Sequence, residues 1–163
     1  MSLLLRKIEK AKWMQNDIRG GEDVSADAIT NCLKTTANAL SVWEVGDESL
    51  VPDAALAMAS QFDHLDTIDI VLLCQGALGK AGLEVKRSAA TTALSEFAAN
   101  HRDVVGLTYR KLGELARLIV DGIKGNRVRR YTKGKLLELL RGAVASGRIS
   151  VDDLREGVRC KVR

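Results

Sequence analysis

The segment that constrains this chain most is residues 39–73, in which two strand-like runs flank a helix-forming stretch. Residues 41–45 (Ser-Val-Trp-Glu-Val) alternate apolar and polar side chains, as a half-buried strand does, whereas residues 67–73 (Thr-Ile-Asp-Ile-Val-Leu-Leu) pass from alternation into a continuous apolar block. A strand that is apolar at successive positions is covered on both faces, so residues 67–73 are expected to be interior, with Ile70 and Leu72 in the core. Between the runs, Pro52 suits the first turn of a helix and Asp53 complements its N-terminal dipole. Ala54, Ala55, Leu56, Met58 and Ala59 then give a small-residue surface able to lie close on a sheet. Strand, helix and strand in this order predict a parallel βαβ crossover.

At 163 residues the chain fits one domain with a sizeable core. A 46% hydrophobic and 28% charged composition is that of a soluble globular protein, while only 4% aromatic residues leave the core to aliphatic and alanine contacts. The apolar run at residues 3–5 is too short for the core of a secretory signal, and no later run approaches a membrane span. Cys32, Cys74 and Cys160 are odd in number and form no CxxC pair, so a reducing cytoplasm is expected, with no zinc site, cofactor or membrane partner.

The net charge of +4 hides a large separation: residues 1–16 carry +3, residues 17–103 carry −8 and residues 104–163 carry +9. An acidic body followed by a basic third either pairs with itself, within the fold or across a dimer, or meets an external partner.

Along the chain, Leu4, Ile8 and Ala11 fall on one helical face, predicting an amphipathic helix that ends near Trp13, before a break at Gly20-Gly21. Ser25 caps a short helix carrying Ile29, Cys32 and Leu33. Residues 75–87 contain Gly76, Gly79 and Gly82 and read as a loop with one helical turn. Ser88 is placed to cap a helix over residues 89–99, and residues 103–107 suggest a short strand. From Thr108, Leu112, Leu115, Ile119 and Ile123 keep helical spacing up to Gly125. Thr132 caps a helix bearing Leu136, Leu137, Leu140 and Val144, Gly147 ends it, and Ser150 caps a last helix with Val151, Leu154 and Val158 inward. The expectation is an α/β fold, with mixed α+β as the variant, built on the βαβ crossover and a C-terminal helical bundle. Residues 1–124 form the body, and residues 125–163 a basic helical subdomain packed on it as one unit, hinged at residues 125–131.

Catalytic motifs are near misses. Cys74 follows the second strand, where open α/β sheets place ligands. A cysteine phosphatase loop needs arginine about six residues on, and the chain has Lys80, which lacks the bidentate fork. A nucleotide P-loop needs Ser or Thr after Gly79-Lys80, and the chain has Ala81. Asp63, His64, Asp66 and Asp69 gather at the entry of the same strand, but they match no helical ligand pair and read as a solvated turn. His101, beside Arg102 and Asp103, has no Gly-x-Ser-x-Gly elbow to serve. Cys74, His64 and His101 remain the weak catalytic candidates.

The basic segment is denser. Lys124, Arg127, Arg129, Arg130, Lys133 and Lys135 surround Tyr131, a composition suited to phosphates with one ring for stacking. Arg155, Arg159 and Arg163 form a stripe opposite Val151, Leu154 and Val158. A helix-turn-helix is incomplete: Ala143 and Gly147 match, but Asp153 occupies an inward position that should be apolar. Three functions follow in order: a small protein-interaction module, an accessory subunit or inhibitor-type partner, acting through charged surfaces on a protein partner or as a homodimer; a nucleic-acid-binding protein using the basic C-terminal helices; and a small hydrolase or transferase centred on Cys74.

Overall fold

The computed structural model describes residues 2–14 and 24–162; Gly20, Gly21 and Arg163 lie outside them. In chain order the elements are β1 (Leu3–Ile8), α1 (Lys10–Trp13), α2 (Ala26–Cys32), β2 (Leu40–Val45), α3 (Val51–Ala59), β3 (Ile68–Cys74), α4 (Gln75–Lys80) and β4 (Glu84–Arg87). They continue with β5 (His101–Val105), α5 (Tyr109–Lys124), β6 (Val128–Tyr131), α6 (Lys133–Ala145) and α7 (Glu156–Val162). The strands form one six-stranded sheet in the order β4-β5-β2-β1-β3-β6, with every adjacent pair antiparallel.

The strand–helix–strand segment is present, but its strands are not neighbours. β2 and β3 both pair antiparallel with β1, so they run in the same direction with β1 between them. The strand that separates them comes from the segment expected to be an amphipathic helix. Leu4 and Ile8 are four residues apart, a spacing that both the helical and the strand period satisfy. Leu3 and Leu5 supply the second apolar face, and only a central strand buries both.

β3 behaves as expected: Ile70 is fully buried and Leu72 is 1% exposed. Ile68, Ile70 and Leu72 face α3, α6 and α7 on one side of the sheet, together with Leu5 and Trp43. Val71 and Leu73 face α5 on the other side, with Leu4, Val42, Leu78 and Val104. A helix layer on each face therefore explains the unbroken apolar run.

The C-terminal third is not a bundle. α5 packs on one face of the sheet and α6 and α7 on the other, and residues 125–131, expected as a hinge, contain edge strand β6 paired with β3. Its alternation is short and set among cations, with Val128 packing on one face and Tyr131 on the other. Three further expectations fail, the first being that Ser150 caps the last helix: it caps a 3-10 turn at Val151–Asp153, and α7 begins only at Glu156. Residues 89–99 hold no α-helix and lead into a 3-10 turn at Ser95–Asn100, and the glycine-rich stretch expected as a loop carries both α4 and β4. The caps of α5 and α6 hold, with Thr108 and Thr132 hydroxyls accepting from the Lys111 and Lys135 amides at 3.3 Å. Both sheet edges are four-residue, charge-bearing strands, which discourages edge-to-edge pairing. Among the described residues no helix is long and apolar enough to cross a membrane.

Candidate functional site: a groove at one end of the sheet

The fold spends much of the basic C-terminal segment on the acidic body. Arg129 bonds Glu48 at 2.6 Å, Arg130 lies 3.6 Å from Asp69, and Arg148 bridges Asp53 at 2.9 Å and Glu96 at 2.6 Å. Lys135 pairs with Glu138 and Arg159 with Glu156 within their own helices, while Tyr131 is half-buried. Arg127, Lys133 and Arg155 carry no ion pair among the described residues. Lys124 ends α5, so the ten residues are spread over α5, β6, α6, α7 and their connections, with Arg163 undescribed.

The catalytic candidates are kept apart. Cys74 closes β3 opposite Leu3, and His64 lies in the turn before the other end of that strand, beneath α7. A side chain at Gly157 of α7 would collide with the Asp63 carbonyl and come within 3.1 Å of His64 Nδ1. His101 pairs across the sheet with Trp43, stacks edge-on against it at 5.0 Å, and shares a 2.8 Å hydrogen bond between Nδ1 and Ser88 Oγ. Burial lowers the His101 pKa, with Asp103 partly opposing it. The hydrogen-bond partner of Nδ1 is Ser88, while Asp103 Oδ1 accepts from Ser41 Oγ at 3.1 Å. Among the described residues no group of three His, Cys, Asp or Glu side chains is arranged to hold a metal ion.

The concave feature arises where two strands part. β1 pairs with β3 through Ile8, but with β2 only through Leu5, so the sheet splits beyond Leu5. Arg6 fills the split: Nε and Nη2 donate to the Cys32 carbonyl at 3.2 and 2.8 Å, and Nη1 donates to the Ser41 carbonyl at 2.9 Å. Burial pulls its pKa below the ordinary value, yet a guanidinium stays charged at working pH. Lys7 alternates to the opposite face, where its ammonium sits 4.5 Å over the Phe62 ring.

Three hollows meet at Lys7. One of about 200 Å³ lies at the split, between Trp43 and His101 and the end of α3. A second of about 350 Å³ is walled by Phe62, His64 and Asp66. The largest, about 790 Å³, runs past Glu9, Asp66, Asp69 and Arg130. Asp69 is its most unusual residue. It sits in an interior strand at 7% exposure; Oδ2 accepts from the Lys10 amide at 3.3 Å, while buried Oδ1 makes no hydrogen bond. Arg130 Nη1 approaches Oδ1 only to 3.6 Å, beyond hydrogen-bond distance, from a side chain that is 66% exposed. The groove thus holds a covered anionic acceptor whose one neighbouring cation, Arg130, pairs with it without a hydrogen bond.

The signal for Asp69 was a carboxylate inside a β-branched strand, and for Arg6 a guanidinium inside Leu-Leu-Leu-Arg-Lys-Ile. A charge in a strand covered on both faces must find a partner or face a cavity. Comparison with protein-family models, curated proteins and solved structures finds no match for this chain.

Proposed function

We propose that this chain is a protein-interaction module that docks a lysine or arginine side chain of a partner protein in the groove beside Asp69. The observation that carries the reading is the buried Oδ1 without a hydrogen bond. An unsatisfied buried acceptor costs about 1–3 kcal/mol, so a cation that satisfies it recovers that cost and anchors the contact. The groove lining interleaves Arg6, Lys7 and Arg130 with Glu9, Asp66 and Asp69. Mixed charge suits the mixed surface of a protein, whereas a polyanion would meet three carboxylates. Pairing within the fold has neutralised part of the basic C-terminal segment, which leaves this groove as the better supported contact.

The test is affinity capture from the native host with immobilised wild type and Asp69→Asn, after nuclease treatment. Wild type should retain a specific protein, confirmed by titration with that purified protein, and Asp69→Asn should bind it at least tenfold more weakly. Equal affinity of the two forms, or capture that disappears with nuclease, refutes the reading.

A further inference from the structure

Away from this groove, a second concavity of about 470 Å³ lies between the end of α4 and the first turns of α5, and shares no lining residue with the first. Lys80, Arg110, Lys111 and Arg117 line it, with Glu114 as the only carboxylate. Glu114 is taken by Arg117 at 2.8 Å, and Lys80, Arg110 and Lys111 have no ion pair among the described residues. This contrasts with β6, where Arg129 and Arg130 face carboxylates. Thr108 caps α5 here, so the positive end of a sixteen-residue helix adds to the same charge. Immediately after Thr108 stands Tyr109, 95% exposed, the most exposed large side chain of apolar character among the described residues.

We propose that this pocket binds single-stranded nucleic acid, with Lys80, Arg110 and Lys111 on the backbone phosphates and Tyr109 stacking on a base. Tyr109 stands in the chain between the lining residues Thr108 and Arg110, and an exposed ring next to unpaired cations is how single strands are held without sequence preference. A duplex keeps its base faces stacked away from Tyr109, and a phosphopeptide offers no base for it. Lys80, which fails the P-loop pattern, acquires a role as a point charge in a pocket built from two helices. This site is independent of the protein-docking reading and survives its failure.

The experiment is fluorescence-anisotropy titration of labelled oligo-dT, oligo-U and a duplex across a salt series. The proteins are wild type, Lys80→Ala/Arg110→Ala/Lys111→Ala, Tyr109→Ala, Tyr109→Phe and Arg127→Ala/Arg129→Ala/Arg130→Ala, each checked for folding by circular dichroism. Single strands should bind wild type more tightly than duplex. The pocket triple variant should lose at least tenfold in affinity and about two units of salt slope, since each phosphate contact on a single strand contributes roughly 0.7. Tyr109→Ala should lose about tenfold while Tyr109→Phe retains binding. The proposal is overturned if the pocket variant binds like wild type, if the β6 variant alone loses binding, if duplex is preferred, or if a phosphopeptide competes as well as the oligonucleotide.

Discussion

Replacing Arg6 by Met tests whether a side chain holds the split sheet together. Methionine keeps much of the unbranched stem, so the cavity contribution is small and the change removes the guanidinium. Lost are three charge-assisted hydrogen bonds to two carbonyls, those of Cys32 and Ser41. Bonds of this kind contribute about 1.5–3 kcal/mol per satisfied acceptor, giving roughly 3–6 kcal/mol for the pair. Opposing this, the variant no longer buries a cation, and the depressed pKa of Arg6 shows that burial disfavours the charge. That relief amounts to about 2–3 kcal/mol for a partly shielded, weakly hydrated guanidinium. The hydrogen bonds win by about 2 kcal/mol, which for a chain of this size lowers the thermal midpoint by about 4–8 °C. Arg6→Lys keeps the charge without the fork and should fall by a similar amount. Urea and thermal unfolding followed by circular dichroism provide the measurement. Arg6→Met as stable as wild type would show that the strands need no plug, and the account of the split would be wrong.

Ile70→Ala removes a fully buried side chain from the face of β3 packed on α3 and α6, and should cost about 2–5 kcal/mol in urea unfolding; an unchanged midpoint would mean β3 is not central. The lowered pKa of His101 implies that the unfolded chain takes up a proton before the folded one does. Stability should therefore fall as pH drops below about 6.5 and level off below the folded value. His101→Phe should remove that part of the dependence, and identical pH profiles of thermal midpoint in the two proteins would contradict the assignment.

Central strand β3 was legible because residues 70–73, Ile-Val-Leu-Leu, follow one another without a polar break, and α5 and α6 because threonine caps precede helical spacing. β1 was not, since Leu4 and Ile8 satisfy either period and the choice is made by the slot between β2 and β3, strands drawn from distant segments. β6 was hidden because its pairing partner, β3, lies 57 or more residues away and its own composition advertises charge. The acidic–basic asymmetry was visible from the residue count, but its destination was not: Arg129 finds Glu48 81 residues away and Arg148 finds Asp53 95 away. Asp69 illustrates the same boundary. The sequence reading placed it with Asp63, His64 and Asp66 in a solvated turn, whereas it lies inside β3 at 7% exposure, and only the tertiary arrangement of Lys10, Arg130 and the groove shows that one of its oxygens is left without a hydrogen bond.

The docking account is tested most directly without a partner, by titrating isotope-labelled protein with N-acetyl-arginine amide and following backbone amide and side-chain carboxyl resonances. Saturable millimolar binding is predicted, with the largest shifts at Asp69, Lys10 and Arg130, and with no such binding in Asp69→Asn. Weak shifts scattered over the exposed carboxylates, the same in Asp69→Asn as in wild type, would contradict the claim that Asp69 is a poised acceptor.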